Sequence, residues 1–221
     1  MRTGDRAFRD RADAGRALAR LLVDRYGDRP GVVVLGLPRG GVPVAAEVAT
    51  ALGAPVDVFL VRKLGVPGHE ELAMGALATG GVRVVNQSVV DALAIPPSVI
   101  DQAAAREQAE LDRRDRLYRG GRPPPDLAGR VVVVVDDGLA TGSTMRAAVK
   151  AVRAHQPARI VVAVPVGAAA TCSELHGEAD EVVCARSPAT FRAVGEWYVD
   201  FSEVDDDHIR ATLGTKEHDG L

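Results

Sequence analysis

The residues best suited to chemistry stand together at Asp136-Asp137-Gly138-Leu139-Ala140-Thr141-Gly142-Ser143-Thr144, directly after the valine run Val131–Val135. Five consecutive β-branched residues read as a central strand buried on both faces. Two adjacent carboxylates at its end repel each other and lose hydration, so they call for solvent, a metal or a ligand. Gly138 and Gly142 permit backbone angles and close approach that side chains forbid. Thr141, Ser143 and Thr144 supply hydroxyls. The turn opens a helix whose first N–H groups have no partner within it, and that end favours an anion. The segment therefore describes a phosphate cradle on Ala140–Thr144, with two carboxylates one short turn away and within reach of sugar hydroxyls. A phosphorylated sugar satisfies both halves at once.

Competing phosphate motifs fail on spacing. A Walker loop needs GxxxxGK[ST], but Gly138 and Gly142 stand at the wrong interval and no Lys follows. Neither Gly36–Gly41 nor Gly138–Gly142 carries GxGxxG. A plain strand–turn–helix junction with a good N-cap explains neither the acidic pair nor the hydroxyls. A second glycine loop, Leu37-Pro38-Arg39-Gly40-Gly41, follows another apolar run, Val32–Leu35. Arg39 offers a planar fork suited to phosphate, and the paired glycines let the backbone come close.

Alternating elements must position these loops. The pattern predicts a helix over Asp10–Tyr26, a strand at Val32–Leu35, a helix at Val42–Leu52 and a strand at Val56–Val61. Arg62–Glu71, with Gly65, Pro67 and Gly68, reads as a mobile loop. Extended pieces follow at Ala73–Ala78 and Val82–Val85. Gln87–Arg119, rich in Ala, Glu, Gln and Arg from Pro97 onward, reads as a helical insertion closed by the linker Gly120–Pro125. The alternation then resumes: strand Val131–Val135, helix Ser143–His155, strand Ile160–Val164, helix Ala168–Leu175 and strand Glu181–Cys184. Continuously apolar strands between helices imply an α/β fold, a parallel sheet covered on both faces. Ligands in such sheets lie at the carboxyl ends of the strands, which points to the loops after Leu35, Val61 and Val135.

The string VVVVDDGLATGST resembles the phosphoribosyl-pyrophosphate signature of the type I phosphoribosyltransferases, and the order of elements over roughly 31–201 resembles theirs, the insertion apart. The resemblance implies a single domain over residues 1–221, with the insertion near 87–119 and a base-holding hood near 186–205. It implies phosphoribosyl transfer from 5-phosphoribosyl-1-pyrophosphate with Mg²⁺, to a purine or pyrimidine, with release of pyrophosphate. Gly138, Leu139, Ala140, Thr141, Gly142, Ser143 and Thr144 would bind phosphoribosyl pyrophosphate, with its 5-phosphate on Ala140–Thr144. Asp136 and Asp137 would hold the sugar hydroxyls and favour the growing positive charge, with Asp136 meeting the metal mostly through ligand and water. Arg39, Gly40, Gly41, Arg62 and Lys63 would take the pyrophosphate, and the loop carrying Lys63 would close over the reacting centre. His69 in that loop is a weaker candidate for phosphate. In the hood, Phe191 or Trp197 would stack on the base and Asp200 would contact base or metal. One departure stands out. Hypoxanthine–guanine enzymes place an acid four positions after the first carboxylate, where this chain has Ala140. That leaves the acceptor open, a non-nucleobase acceptor included, and a ligand-sensing regulator stays as the non-catalytic alternative.

Bulk properties set outer limits. The 221 residues carry 27 basic and 30 acidic side chains, a net charge of −3. No basic excess is available for a nucleic-acid backbone. The N-terminal MRTGDRAFRD has no apolar stretch, and no apolar run approaches bilayer length, so a cytoplasmic protein without a membrane partner is expected. Cys172 and Cys184 are too few and too widely spaced for a zinc cluster or a CxxC pair and read as reduced, buried thiols. The Ala-rich helix Gln102–Leu117 offers a face for a homodimer.

Overall fold

Five parallel strands form the central sheet of the computed structural model, which describes residues 7–214. They are β1 (Val32–Gly36), β2 (Val56–Val58), β6 (Val131–Val135), β7 (Arg159–Val166) and β8 (Glu181–Arg186), in the order β2-β1-β6-β7-β8. β1 and β6 are buried along their whole length. Their side chains alternate between two cores. Val32, Val34, Val131, Val133 and Val135 face α1 (Arg11–Tyr26) and α2 (Gly41–Leu52). Val33, Leu35, Val132 and Val134 face α5 (Ser143–Ala154) and α6 (Ala169–Leu175). A two-faced burial of this kind requires the continuous apolar runs seen in the sequence.

Three shorter strands form a second sheet in the order β3-β4-β5: β3 (Val61–Val66), β4 (His69–Ala78) and β5 (Val82–Val85), all antiparallel. The segment expected to be a mobile loop, Arg62–Glu71, is thus the hairpin of β3 and β4. Pro67 and Gly68 make its turn, with Gly68 at φ +77°. Gly65 sits where the ladder register shifts. The expected strand Val56–Val61 divides accordingly, because the chain leaves the central sheet after Val58.

α3 (Gln87–Ala92) and α4 (Pro97–Arg119) realise the expected helical insertion. Ile100, Ala103, Leu111 and Tyr118 of α4 pack on Leu64, Val66, Met74 and Leu77 of the hairpin. The apolar face of the helix is therefore used inside the chain. Val61, Val82 and Val84 on the opposite face of the small sheet pack toward Met145 and Val149 of α5. The small sheet is sandwiched between α4 and α5. Buried Arg119, at the end of α4, donates to Asp57 at 3.2 Å and to the Val58 carbonyl at 2.6 Å, and also pairs with Asp115. It joins the insertion to the end of β2. α7 (Asp206–Thr212), the last described element, packs against α4, where the Tyr118 hydroxyl donates to Asp206 at 2.6 Å.

Cys172 and Cys184 correct the reduced-thiol expectation: they are joined as a disulfide between α6 and β8. They stand twelve positions apart in sequence, and only the neighbouring positions of α6 and β8 bring them together. Among the described residues no helix is long and apolar enough to cross a membrane.

Candidate active site

The strand order reverses between β1 and β6, and in open parallel sheets the ligand crevice opens at that point beyond the carboxyl ends. The two loops singled out by chemistry, 37–41 and 136–142, leave the sheet there side by side. They touch closely. A Cβ on Gly40 would run into the Asp137 carboxylate, and one on Gly41 would stand 2.7 Å from the Val135 carbonyl oxygen. Both glycines are needed for this approach, not for flexibility. The Pro38–Arg39 peptide is cis.

The loop after β6 is tied down on its far side. Leu139 N–H donates to the Val166 carbonyl at 2.9 Å, and the Thr171 hydroxyl of α6 donates to the Ala140 carbonyl at 2.7 Å. Gly142 takes φ +69°, and a Cβ there would meet the Thr171 methyl at 2.6 Å. Thr141, Ser143 and Thr144 are exposed at the mouth, with the Thr141 and Ser143 hydroxyls 3.3 Å apart. The first helical bond of α5 runs from Arg146 N–H to the Gly142 carbonyl at 2.8 Å. The amides before it point out of the helix end, as a phosphate requires.

Asp136 and Asp137 sit half-buried at the floor. Burial, and then the charge of Asp137, push the Asp136 carboxyl well above the usual range. Its Oδ1 accepts from the Asp137 N–H at 2.9 Å. Burial also raises Asp137, opposed by Arg11. Arg11 Nε donates to Asp137 Oδ2 at 2.9 Å, and Arg11 Nη1 donates to the Ser202 carbonyl at 2.7 Å. The Arg11 guanidinium lies 4.1 Å from the Phe201 ring centroid. The Tyr198 hydroxyl donates to the Asp137 carbonyl at 2.6 Å. One arginine and one tyrosine thus fasten the acidic pair to the segment expected to be the hood. Neither was singled out from sequence. Arg11 lies 126 positions from Asp137, and no local spacing relates them.

The hood candidates divide. Phe191 and Trp197 are half-buried and pack with Phe8, Val166 and Tyr198. The segment is stitched to the N-terminal chain by Phe8 N–H to the Trp197 carbonyl and Val199 N–H to the Phe8 carbonyl, both at 2.8 Å. Phe201 is the more exposed ring, tilted over Tyr198 at 5.0 Å. Asp200 is exposed and accepts from the Ser202 N–H at 2.9 Å, which holds its carboxyl below the usual range.

The cations also divide. Side chains of successive strand residues point to opposite faces, so Arg62 and Lys63, paired in the sequence reading, separate once β3 forms. Arg62 faces α4, where its Nε donates to Glu107 at 2.7 Å. It lines a narrow slot with Leu37, Pro38, Thr144 and Arg114. Lys63 faces α5 and lines a different cleft of about 160 Å³ with Ser143, Arg146 and Lys150. Lys63 therefore stands by Ser143 at the start of α5, in a different cleft from Arg62. Arg39 itself is exposed and pairs with Glu203. His69 is exposed at the hairpin turn. Arg114, from the insertion, is the cation that sequence reading missed at this slot. A signal existed: Ile100, Ala103, Glu107, Leu111, Arg114 and Tyr118 follow at helical steps of three or four, so two charges sit within the apolar stripe.

Comparison with known proteins gives the same reading of the frame. Over 212 residues the chain is 48% identical to a Mycobacterium tuberculosis H37Rv protein whose name assigns it provisionally to the phosphoribosyl transferases; the match takes in 96% of this chain and 47% of that one. The chain spans about half the length of that relative. A protein named bifunctional protein PyrR, from Chloroflexus aurantiacus, is 35% identical over 129 residues, 57% of this chain and 65% of its own. Among solved structures, TT1426 of Thermus thermophilus superposes with a TM-score of 0.86 at 45% identity, covering 94% of this chain and 97% of its own. Residues 8–201 match the family described as the phosphoribosyl transferase domain, and the chain belongs to that family.

Proposed function

We propose that the chain binds 5-phosphoribosyl-1-pyrophosphate across the loops of β1 and β6 and transfers its phosphoribosyl group to a nitrogenous base. The observation that carries this reading is the junction of Gly40 against Asp137 at the strand-order reversal. It supports the reading because the start of α5, the acidic pair and the glycine loop come together around one point. The 5-phosphate rests on Ala140–Thr144, so that remote binding energy fixes the geometry of the sugar. Asp136 and Asp137 take the sugar hydroxyls and favour the positive charge that grows on the ring. Gly40 and Gly41, with Arg39 and Arg62, receive the pyrophosphate. The bond from C1 to pyrophosphate breaks with its electron pair going to the leaving group. The acceptor nitrogen supplies the pair for the new bond and gives up its proton.

Mg²⁺ fits this arrangement. Asp136 carries a desolvated carboxyl crowded by a second one, the situation a cation relieves. Among the described residues no group of three or more His, Cys, Asp or Glu side chains gathers into a cage, so the protein would supply few of the ion's ligands, and waters and the ligand's phosphate oxygens would supply the rest. When bound, Mg²⁺ neutralises charge on the leaving pyrophosphate.

A pyrophosphate-release assay over purines, pyrimidines and simple amines, with and without Mg²⁺, tests this reading. Release is expected with at least one acceptor. Asp137→Asn and Thr141→Ala are each expected to lower it about 100-fold or more, as loss of one preorganised contact does. Wild-type turnover by both variants would remove the loop from the mechanism. Binding without release for every acceptor would favour a sensing role instead.

A further inference from the structure

Two arginines from different elements line the slot beside the β1 loop, each held by a glutamate: Arg62 by Glu107 and Arg114 by Glu110. Arg114 comes from α4, in the segment that the family resemblance leaves unplaced. It lines the slot together with Leu37 and Pro38 of the β1 loop and Thr144 of the phosphate turn. Charged groups are rarely placed on the buried stripe of a helix unless a partner satisfies them. Glu107 has such a partner in Arg62 across the hairpin. Among the described residues Arg114 is paired with Glu110, one turn back on its own helix, with Nε to Oε1 at 2.6 Å.

Glu110 is shared. Arg113 also donates to it, at 2.8 and 3.1 Å, from the more exposed side. Arg114 can therefore leave Glu110 without stranding a carboxylate. The slot holds only about 30 Å³, room for about one or two waters. A diphosphate is larger than this, so its entry would require Arg114 to swing aside, and a planar guanidinium can grip phosphate oxygens through two parallel donors.

We infer that the insertion helix α4 completes the active site by lending Arg114 to the leaving pyrophosphate, with Glu110 holding the guanidinium in its place until the diphosphate arrives. The inference rests on the phosphoribosyl reading of the β1 and β6 loops. It gives the insertion a role in the site. The strand hairpin and the helix behind it bring a forked cation to a loop whose own arginine, Arg39, lies at the surface.

Calorimetric titration of Mg-pyrophosphate and, separately, ribose 5-phosphate into the full chain and its variants tests the inference. Arg114→Gln is expected to weaken pyrophosphate binding about tenfold or more, the scale of a lost charge-assisted bond. Its affinity for ribose 5-phosphate, which lacks the diphosphate, stays within about twofold of wild type on the same scale. Arg114→Lys falls between, because an ammonium is a point charge without the fork. Glu110→Gln, which removes the competitor and leaves Arg114 in place, tightens pyrophosphate binding about threefold. Pyrophosphate binding by Arg114→Gln equal to wild type overturns the inference. Equal loss of both ligands also overturns it, since that marks a packing role for the helix. Wild-type protein that binds ribose 5-phosphate but no pyrophosphate overturns it as well. Wild-type protein that binds neither ligand refutes the phosphoribosyl reading itself, a distinct result.

Discussion

Asp136 bears two penalties at once, loss of water and the charge of its neighbour Asp137. Its pKa is raised in the folded state, so its contribution to stability is fully present below the ordinary carboxyl range and is lost as pH rises through the folded value. Asp136→Asn removes the charge and keeps an oxygen for the Asp137 N–H. The variant is expected to melt above wild type near pH 8. The difference should vanish toward pH 4, while transfer activity is lost at every pH. A scan of melting temperature against pH checks this; an unchanged or lower melting point at pH 8 contradicts the desolvated-carboxyl account. At this scale much was legible. Asp136, Asp137, Gly40 and the hydroxyl turn declare their chemistry in the sequence. Arg11 and Tyr198 do not, because their partner Asp137 becomes their neighbour only through the packing of α1 and the C-terminal segment.

Elements explain the main misreading. Gly65, Pro67 and Gly68 within a few residues look like a loop, yet Pro67-Gly68 is the tight turn of a hairpin and Gly65 marks a register shift. Once the segment is a strand, its alternation decides which cations face which cleft. That is why Arg62 joins Arg114 near the β1 loop and Lys63 joins Ser143 and Lys150 instead. The helices of the insertion were legible from composition; where they pack was not, since a stripe of spacing names no partner. Buried Arg119 fixes that packing through Asp57 and the Val58 carbonyl. Arg119→Ala leaves Asp57 and Asp115 without their cation and is expected to cost about 3–5 kcal/mol of unfolding free energy. Urea denaturation checks it, and a cost under about 1 kcal/mol would mean that the insertion is held by its apolar contacts alone.

For the whole molecule, the order β2-β1-β6-β7-β8 is the decisive feature. A parallel sheet was predictable from continuous apolar runs, and so was the rule that loops at the carboxyl ends carry the ligand. The order itself was not, because strand neighbours depend on which helices cross which face. The disulfide between Cys172 and Cys184 belongs to the same class: it follows from the placing of α6 beside β8, not from the spacing of two cysteines. At 45% identity and a TM-score of 0.86, the Thermus thermophilus structure shares this frame almost end to end, whereas the Mycobacterium tuberculosis relative is about twice as long. Titration of Mg-phosphoribosyl pyrophosphate into the chain, followed by calorimetry, tests the central claim most directly. The account predicts saturable, Mg²⁺-dependent binding at one site, strongly weakened by Asp137→Asn and Thr141→Ala. A flat titration with Mg²⁺ present would contradict it.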